Sequence, residues 1–171
     1  MRALWAPGTK AYSGRRVNLP ETACYPRPVG RIPILVGGSG EQRTLKIAAE
    51  LADGCNVSAD AATVRRKIQV LHRHCAAAGR DLREVEVTVL DVPVIGRDRD
   101  DTATRVERLR GRSAAATFPA RTHAGPVEAH VRRYAELADL GVGTVFVALP
   151  DLTGSDDLHR CAALVAATRA L

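Results

Sequence analysis

From residue 32 onward, short apolar runs alternate with longer stretches in which apolar residues recur every three or four positions. The first run, IPILV at 32–36, is continuously apolar, as suits a strand covered on both faces, and it meets a turn of Gly37, Gly38, Ser39 and Gly40. Residues 41–53 then carry Leu45, Ile47, Ala48, Leu51 and Ala52 on one side, the spacing of an amphipathic helix. CNV at 55–57 predicts a second short strand. Ser58 or Asp60 caps the next helix, which runs to about residue 78 with Val64, Ile68, Leu71 and Cys75 as its stripe, and Gly79 ends it. In EVEVTVLDVPVI, residues 84–95, Val85, Val87 and Val89 alternate with Glu86 and Thr88 before a more continuous apolar stretch, which predicts a third strand. A helix is expected near 101–109. Pro126 suits the first position of another, carried by Val127, Val131, Tyr134, Ala135 and Ala138 as far as Gly141. TVFVALP then predicts a fourth strand, at 144–149, and DDLHRCAALVAATRAL a closing helix.

Strand alternating with helix in this way implies an α/β fold, with a parallel sheet and crossover helices. Two segments resist the pattern. Residues 111–125 show no readable period, and residues 1–31 read as a helix end at RALW followed by a long loop rich in Pro and Gly. The nearly continuous apolar strands at 32–36 and 144–149 call for cover on both faces. An open four-stranded sheet would leave edges that a partner with further strands would protect.

Composition narrows the class. A chain of 171 residues holds one ordinary domain. No run reaches the roughly 18 apolar residues of a membrane span, and MRALWAPGTK lacks the apolar core of a secretory signal, so a soluble cytoplasmic protein is expected. Cys24, Cys55, Cys75 and Cys161 are too widely spaced for a C-x-x-C pair and read as reduced, mostly buried thiols. His72 and His74, two apart on a helix, cannot share a face, and no metal site is expected. The formal charge of +6 is dispersed through VRRKIQVLHRH, RVERLRGR and HVRRY, and favours anionic ligands in general. With aromatic residues only 4% of the chain, specific nucleic-acid recognition by base stacking is not supported.

The glycine turn has two readings at this level. Backbone amides at a helix start can receive an anion, and glycine lets it approach. The same turn is a sufficient strand-to-helix corner without any ligand, since glycine tolerates positive φ and Ser39 can cap the helix. It is neither a P-loop, lacking Lys-Ser/Thr, nor a full G-x-G-x-x-G.

The order RRVNLPETACYPRPV, PILVGGSGEQRTLKIAAELADGCNV, LHRHCAAAGRD, EVEVT, GPVEAHVRRYAELADLGV and TVFVALP closely resembles the C-terminal half of the luciferase-like monooxygenase family, above all its F420-dependent oxidoreductase branch. The resemblance implies a partial (β/α)8 TIM barrel containing strands five to eight with their helices, and a division into residues 1–31, a helix end and loop, and 32–171, the half-barrel. It implies hydride transfer between coenzyme F420, or alternatively FMN, and a small organic substrate. Gly37, Gly38, Ser39 and Gly40 would then receive the cofactor phosphate at the start of a helix opened by Glu41. Arg43 would add charge, Lys46 less so, and Gln42 stands where the family usually has a basic residue. Asn56 would lie at the rim, and Gly125-Pro126 would match a family Gly-Thr-Pro helix start that has lost its Thr. No catalytic residue is assigned: Asp91 is expected to bond to a loop and His123 to be exposed. Because the first half of the barrel is missing and Met1 falls inside a family helix, a truncated reading frame is expected. Completion by self-association or by a complementary half-barrel chain, and a non-catalytic remnant, are the alternatives.

Overall fold

A computed structural model of the chain describes residues 1–8, 10–112, 118 and 122–169. Its contacts divide the chain into two units, Met1–Pro33 and Ile34–Leu171.

In the first unit, α1 (Arg2–Trp5) precedes a hairpin of β1 (Lys10–Ser13) and β2 (Asn18–Thr22). The strands pair antiparallel, with Tyr12 opposite Leu19 and Ser13 opposite Asn18. The Asn18 carboxamide oxygen closes the turn, accepting from Ser13 Oγ at 3.0 Å and from the Gly14 amide at 3.2 Å. The stretch read as one loop therefore holds two strands. Its Pro and Gly content masked them because hairpin ends and loops share those residues.

The second unit is built on β3 (Leu35–Gly37), α2 (Thr44–Leu51), β4 (Gly54–Ser58), α3 (Ala61–Ala77), β5 (Glu86–Asp91), β6 (Pro93–Ile95), α4 (Arg99–Arg110), β7 (His123–Gly125), α5 (Val127–Asp139), β8 (Val142–Val147) and α6 (Ser155–Thr168). One sheet runs β3-β4-β5-β8, every neighbour parallel, and β6 pairs with β7 in a second, two-stranded parallel sheet. The predicted third strand divides because Pro93 has no amide to continue the ladder. The β5–β8 pairing ends at Asp91 opposite Val147, and Pro93 opens a new pairing with His123. That partner lies in the stretch without readable period, of which residues 113–117 and 119–121 are outside the described residues.

The helices cover one face of the larger sheet. Cys55, Val57, Val87 and Val89 from the strands join Leu45, Val64, Leu71 and Leu137 from the helices in a single buried cluster. Of the predicted stripe, Leu45, Ala48 and Ala52 are buried as read, while Ile47 and Leu51 are exposed and Ala49 is buried in their stead. The opposite face of the sheet carries Leu35, Asn56, Thr88, Leu90, Thr144 and Phe146, alternating with the covered residues as the pleat requires. Leu90 is 52% and Phe146 44% exposed. The expectation that the outer strands are buried on both faces is therefore not met: among the described residues β3 and β8 each pair on one edge only, and Leu35, Leu90 and Phe146 are exposed.

The starts of α3 and α2 are set differently. Asp60, opening α3, accepts the Thr63 amide at 2.8 Å, as the sequence suggested. The helix after the glycine turn begins at Thr44, later than residue 41, with Arg43 at its N-cap and no side-chain cap. Ser39 therefore does not cap it. Lys67 claims the Ser39 carbonyl and the Glu41 carboxylate instead, and the Leu45 amide reaches back to Gly40 O at 3.1 Å.

Candidate functional site

The carboxyl ends of parallel strands form the rim where (β/α) folds bind ligands. Here that rim holds Gly37, Asn56 to Ser58, and Leu90 with Asp91. Gly37 lies opposite Asn56 in the ladder, and the Gly38 amide donates to Asn56 O at 3.3 Å, so the glycine turn and Asn56 are brought together. The Asn56 carboxamide donates to Thr88 Oγ1 at 2.9 Å, and Thr88 donates in turn to Cys55 O, which fixes Asn56 across the uncovered face.

Each glycine of the turn has its own reason. Gly38 has φ +140°, a conformation other residues rarely adopt, and a Cβ there would meet Thr44 Cγ2 at 3.2 Å. A Cβ on Gly40 would meet Thr44 Oγ1 at 2.9 Å. Gly37 is different: nothing lies within 4 Å of the position its Cβ would take. The backbone of this turn is also rich in donors. Among the described residues, the amides of residues 39–44 meet no acceptor. Consecutive free amides beside an open glycine form a cradle of donors suited to an anion.

Positive charge gathers behind the cradle. Lys67, only 5% exposed, donates to Ser39 O at 2.6 Å and to Glu41 Oε1 at 2.9 Å. Arg66 meets the same carboxylate oxygen at 3.0 Å, and His74 Nε2 lies 2.9 Å from Glu41 O. The Lys67 hydrogen bond is the main reason the Glu41 carboxyl titrates below its ordinary value, so Glu41 stays ionised and neutralised at this position. Arg43 is exposed beside the turn, and Lys46 pairs with Glu50 at 3.8 Å, pointing its charge along the helix. Lys67 was not singled out from the sequence. Its signal was a charge at helical spacing inside the stripe of Val64 and Leu71.

A second cluster sits on the same rim. Asp91, 1% exposed at the end of β5, accepts from Tyr134 Oη at 2.7 Å and from Arg133 on one oxygen, and lies 2.7 Å from His123 Nδ1 on the other. Burial alone would raise its pKa, but Tyr134, the Arg133 charge and His123 outweigh burial and hold it below the ordinary carboxylate value. Burial, reinforced by the Asp91 carboxylate, pushes the Tyr134 hydroxyl far up. Asp91 thus bonds to α5 and β7 instead of to a loop, and His123 is half-buried, at 36% side-chain exposure, instead of free. A cavity of about 410 Å³ opens beside them, lined by Ser58, Asp60, Thr63, Leu90, Val92 and His123. An acidic residue inside the apolar run VTVLDVPVI was the sequence signal for Asp91.

Gly125 and Pro126 serve the fold. Gly125 is buried at the end of β7, where a Cβ would press on Ala129 at 3.1 Å, and Pro126 is the N-cap of α5. His130, buried and with its pKa lowered mainly by that burial, has Nε2 3.2 Å from Gly125 O. Among the described residues, no group of His, Cys, Asp and Glu is placed to hold a metal ion. No described helix is long and apolar enough to cross a membrane.

Known proteins share this fold. The solved structure of an F420-dependent secondary alcohol dehydrogenase, in complex with an F420-acetone adduct, superposes with a TM-score of 0.80 at 16% identity, over 98% of this chain and 58% of that one. The coenzyme F420-dependent tetrahydromethanopterin reductase from Methanopyrus kandleri gives 0.69 at 18% identity, over 96% and 58%. A long-chain alkane monooxygenase gives 0.71 at 11%, over 95% and 47%. At such identities the likeness concerns the fold, and the four consecutive strand–helix units are a partial (β/α)8 barrel, as the resemblance implied. Uncharacterized proteins of Mycobacterium bovis and Mycobacterium tuberculosis are each 31% identical over 134 residues, covering 67% of this chain and 48% of theirs. The chain spans about half the length of these curated relatives. The family model described as luciferase-like monooxygenase matches residues 1–148, and the chain belongs to that family.

Proposed function

We propose that this chain supplies the phosphate-holding half of an F420-dependent oxidoreductase site, which transfers hydride between a bound deazaflavin and a small organic substrate. The observation that carries the reading is the turn at the rim: free amides at residues 39–44, next to a Gly37 whose Cβ side is open. Gly37, Gly38, Ser39 and Gly40 hold the cofactor phosphate, Arg43 adds charge from the exposed side, and Asn56 anchors the turn to the sheet. When bound, the deazaflavin supplies the hydride-accepting carbon, and the protein orients it and excludes water. The likeness to F420-dependent enzymes supports F420, and the FMN-containing riboflavin lyase among the similar structures keeps FMN as the alternative.

The uncovered sheet face supports a partner. Exposed Leu35, Leu90 and Phe146 share that face with hydrogen-bonded Asn56 and Thr88, and among the described residues β3 and β8 each pair along one edge only. Exposed large apolar side chains gathered on one sheet face support a surface that binds something. A second copy of the chain, or a complementary half-barrel, closes the site.

A specific observation favours one competing reading, a structural corner without ligand: Gly38 and Gly40 are required by local packing alone. Fluorescence titration of the chain with F420, with FMN as comparison and molecular mass recorded in the same buffer, separates the two. Saturable F420 binding by a defined oligomer supports the proposal. No F420 binding by the chain, alone or mixed with a complementary half-barrel, overturns it.

A further inference from the structure

The uncovered face of the larger sheet is laid out in layers from the amino to the carboxyl ends of its strands. Leu35, Gly54 and Glu86 form the first layer, since Gly54 lies opposite both Leu35 and Glu86 in the ladder. Gly37, Asn56, Thr88 and Thr144 form the next, and Ser58, Leu90 and Phe146 the last. Among the described strand residues of this face, Glu86 is the one charged side chain. The fold makes room for it. Gly143 is skipped at the register shift between β5 and β8, and a Cβ there would lie 3.3 Å from both Glu86 Cγ and Oε1. Thr144 donates to Oε1 at 2.5 Å. Among the described residues, Thr144 is the hydrogen-bonding partner of this carboxylate and no cation pairs with it.

A carboxylate in this position discriminates between two ways of closing the barrel. Two copies related by a twofold axis along the barrel would set β8 of each beside β3 of the other, with every neighbour parallel. Such an axis keeps each residue at the height of its mate. Leu90 and Phe146 would then meet their own kind, apolar on apolar, and Asn56 and Thr88 would arrive already bonded within their own sheet. In the first layer Glu86 would face Glu86. The interior of an eight-stranded barrel is just wide enough for side chains to fill it, so the two carboxylates would be brought together out of water, with no cation on this face of either copy. Like charges at close range resist ionisation, and a buried charge left unpaired is strongly destabilising. A half-barrel of different sequence with Lys or Arg at this height would instead form a charge-assisted pair with a carboxylate that Thr144 holds in place.

We propose that the occupant of this face is a complementary half-barrel that presents a cation to Glu86, and that Glu86 selects it against a second copy of the chain. The proposal rests on the half-barrel reading of the proposed function and narrows its two partners to one. The four parallel strands β3-β4-β5-β8 leave four to be supplied, and the supplied strands pair with β3 on one side and β8 on the other. Apolar contact at Leu90 and Phe146 favours closure by any half-barrel, and the charge at Glu86 decides which one.

The test uses a charge-swapped copy as its probe, because the Glu86→Lys variant is a half-barrel with a cation at the required height. Sedimentation velocity over a concentration series follows the unmodified chain, the variant and their equimolar mixture, and hydrogen exchange reads protection along β3 and β8. The mixture is expected to form a heterodimer about tenfold or more tighter than either chain forms with itself, the scale of a close charge pair across an interface. Exchange along β3 and β8 slows in the mixture and not in the separate chains. Glu86→Gln keeps an acceptor for Thr144 and removes the charge, so it self-associates more tightly than the unmodified chain. This second variant decides the matter should circular dichroism show that Glu86→Lys has lost its fold. A folded mixture that associates no more tightly than the unmodified chain alone overturns the proposal, as does association that leaves β3 and β8 unprotected. So does a Glu86→Gln variant that self-associates no better than the unmodified chain. No cofactor enters the experiment: a failed charge swap counts against this partner, whereas a failed F420 titration counts against the oxidoreductase reading.

Discussion

Gly37 and Gly38 are adjacent, yet the structure assigns them opposite consequences on substitution by alanine. Gly38 has φ +140°, and an added Cβ would approach Thr44 Cγ2 to 3.2 Å. Forcing an L-residue into so sparsely populated a region costs roughly 1–3 kcal/mol, before the Thr44 side chain gives way. For a chain of this size that is a fall in Tm of roughly 2–4 °C per kcal/mol. Gly37 is a strand residue with no atom within 4 Å of its Cβ position, so Gly37→Ala leaves stability unchanged or raises it by about 0.4–1 kcal/mol through the unfolded chain. Binding reverses the order of interest. A methyl on the open side of Gly37 stands where the phosphate approaches, and displacing one charge-assisted hydrogen bond costs roughly 1.5–3 kcal/mol. Affinity for F420 then falls about tenfold or more, at ~1.4 kcal/mol per decade. Thermal melts with and without F420, beside fluorescence titrations of both variants, read the two effects separately. If Gly37→Ala binds F420 as tightly as the unmodified chain, the cradle does not lie on the open side of Gly37 and the argument from its free Cβ position fails.

Lys67→Met removes the ammonium that holds Ser39 and Glu41 while Arg66 keeps the Glu41 carboxylate paired at 3.0 Å. We expect a loss of about 1–3 kcal/mol in urea unfolding, against less than about 0.5 kcal/mol for the exposed Arg66→Met, and equal losses would refute the distinction. Burial, with Cys75 adding to it, pushes the Cys55 thiol up to about 11. Ellman's reagent at pH 8 should therefore reach the half-buried Cys24 and Cys161 first, and Cys55 only on unfolding; prompt native-state reaction at Cys55 would contradict its burial. The Arg97 amide, and to a lesser degree Arg105, outweigh burial and hold the Asp101 carboxyl at about 2, below its unfolded value of 3.8. Its stabilisation is thus complete above that unfolded value and is lost as pH falls from about 4 toward about 2. Asp101→Asn should flatten the acid limb of a stability profile in that window, and an unchanged limb would show that Asp101 contributes nothing there.

The strands and helices of the second unit were legible because their periods are strong and their breakers stand in the right places. Asp60 and Gly79 bound α3 as read, and Val85, Val87 and Val89 are all buried. Misreadings arose where a long-range partner overrides a local preference. Nothing local tells that Lys67, twenty-eight positions on, takes the Ser39 carbonyl and postpones the helix to Thr44. Nor does the alternation in 84–95 reveal that Pro93 leaves one ladder for another with His123. The His123 dyad was out of reach for the same reason: its two members are thirty-two positions apart, and one lies in a stretch without period.

The apolar strands teach a further point about what a hydrophobic run reports. A run such as TVFV was read as burial on both faces, and in this chain only one of those faces has a cover. Val145 packs against the core, whereas Phe146, one position on, is 44% exposed on the other side. On that same side Thr144 donates to Glu86 at 2.5 Å and Asn56 donates to Thr88, so polar residues there bond to one another within the sheet. An alternating surface facing solvent would place charges where Leu90 and Phe146 stand. The pattern of this face is instead that of a barrel interior: apolar side chains interleaved with internally bonded polar ones. The sequence thus encodes the environment in which the face functions. The glycine turn lies on the rim of that face, so whatever covers the face also shields the proposed anion site from water.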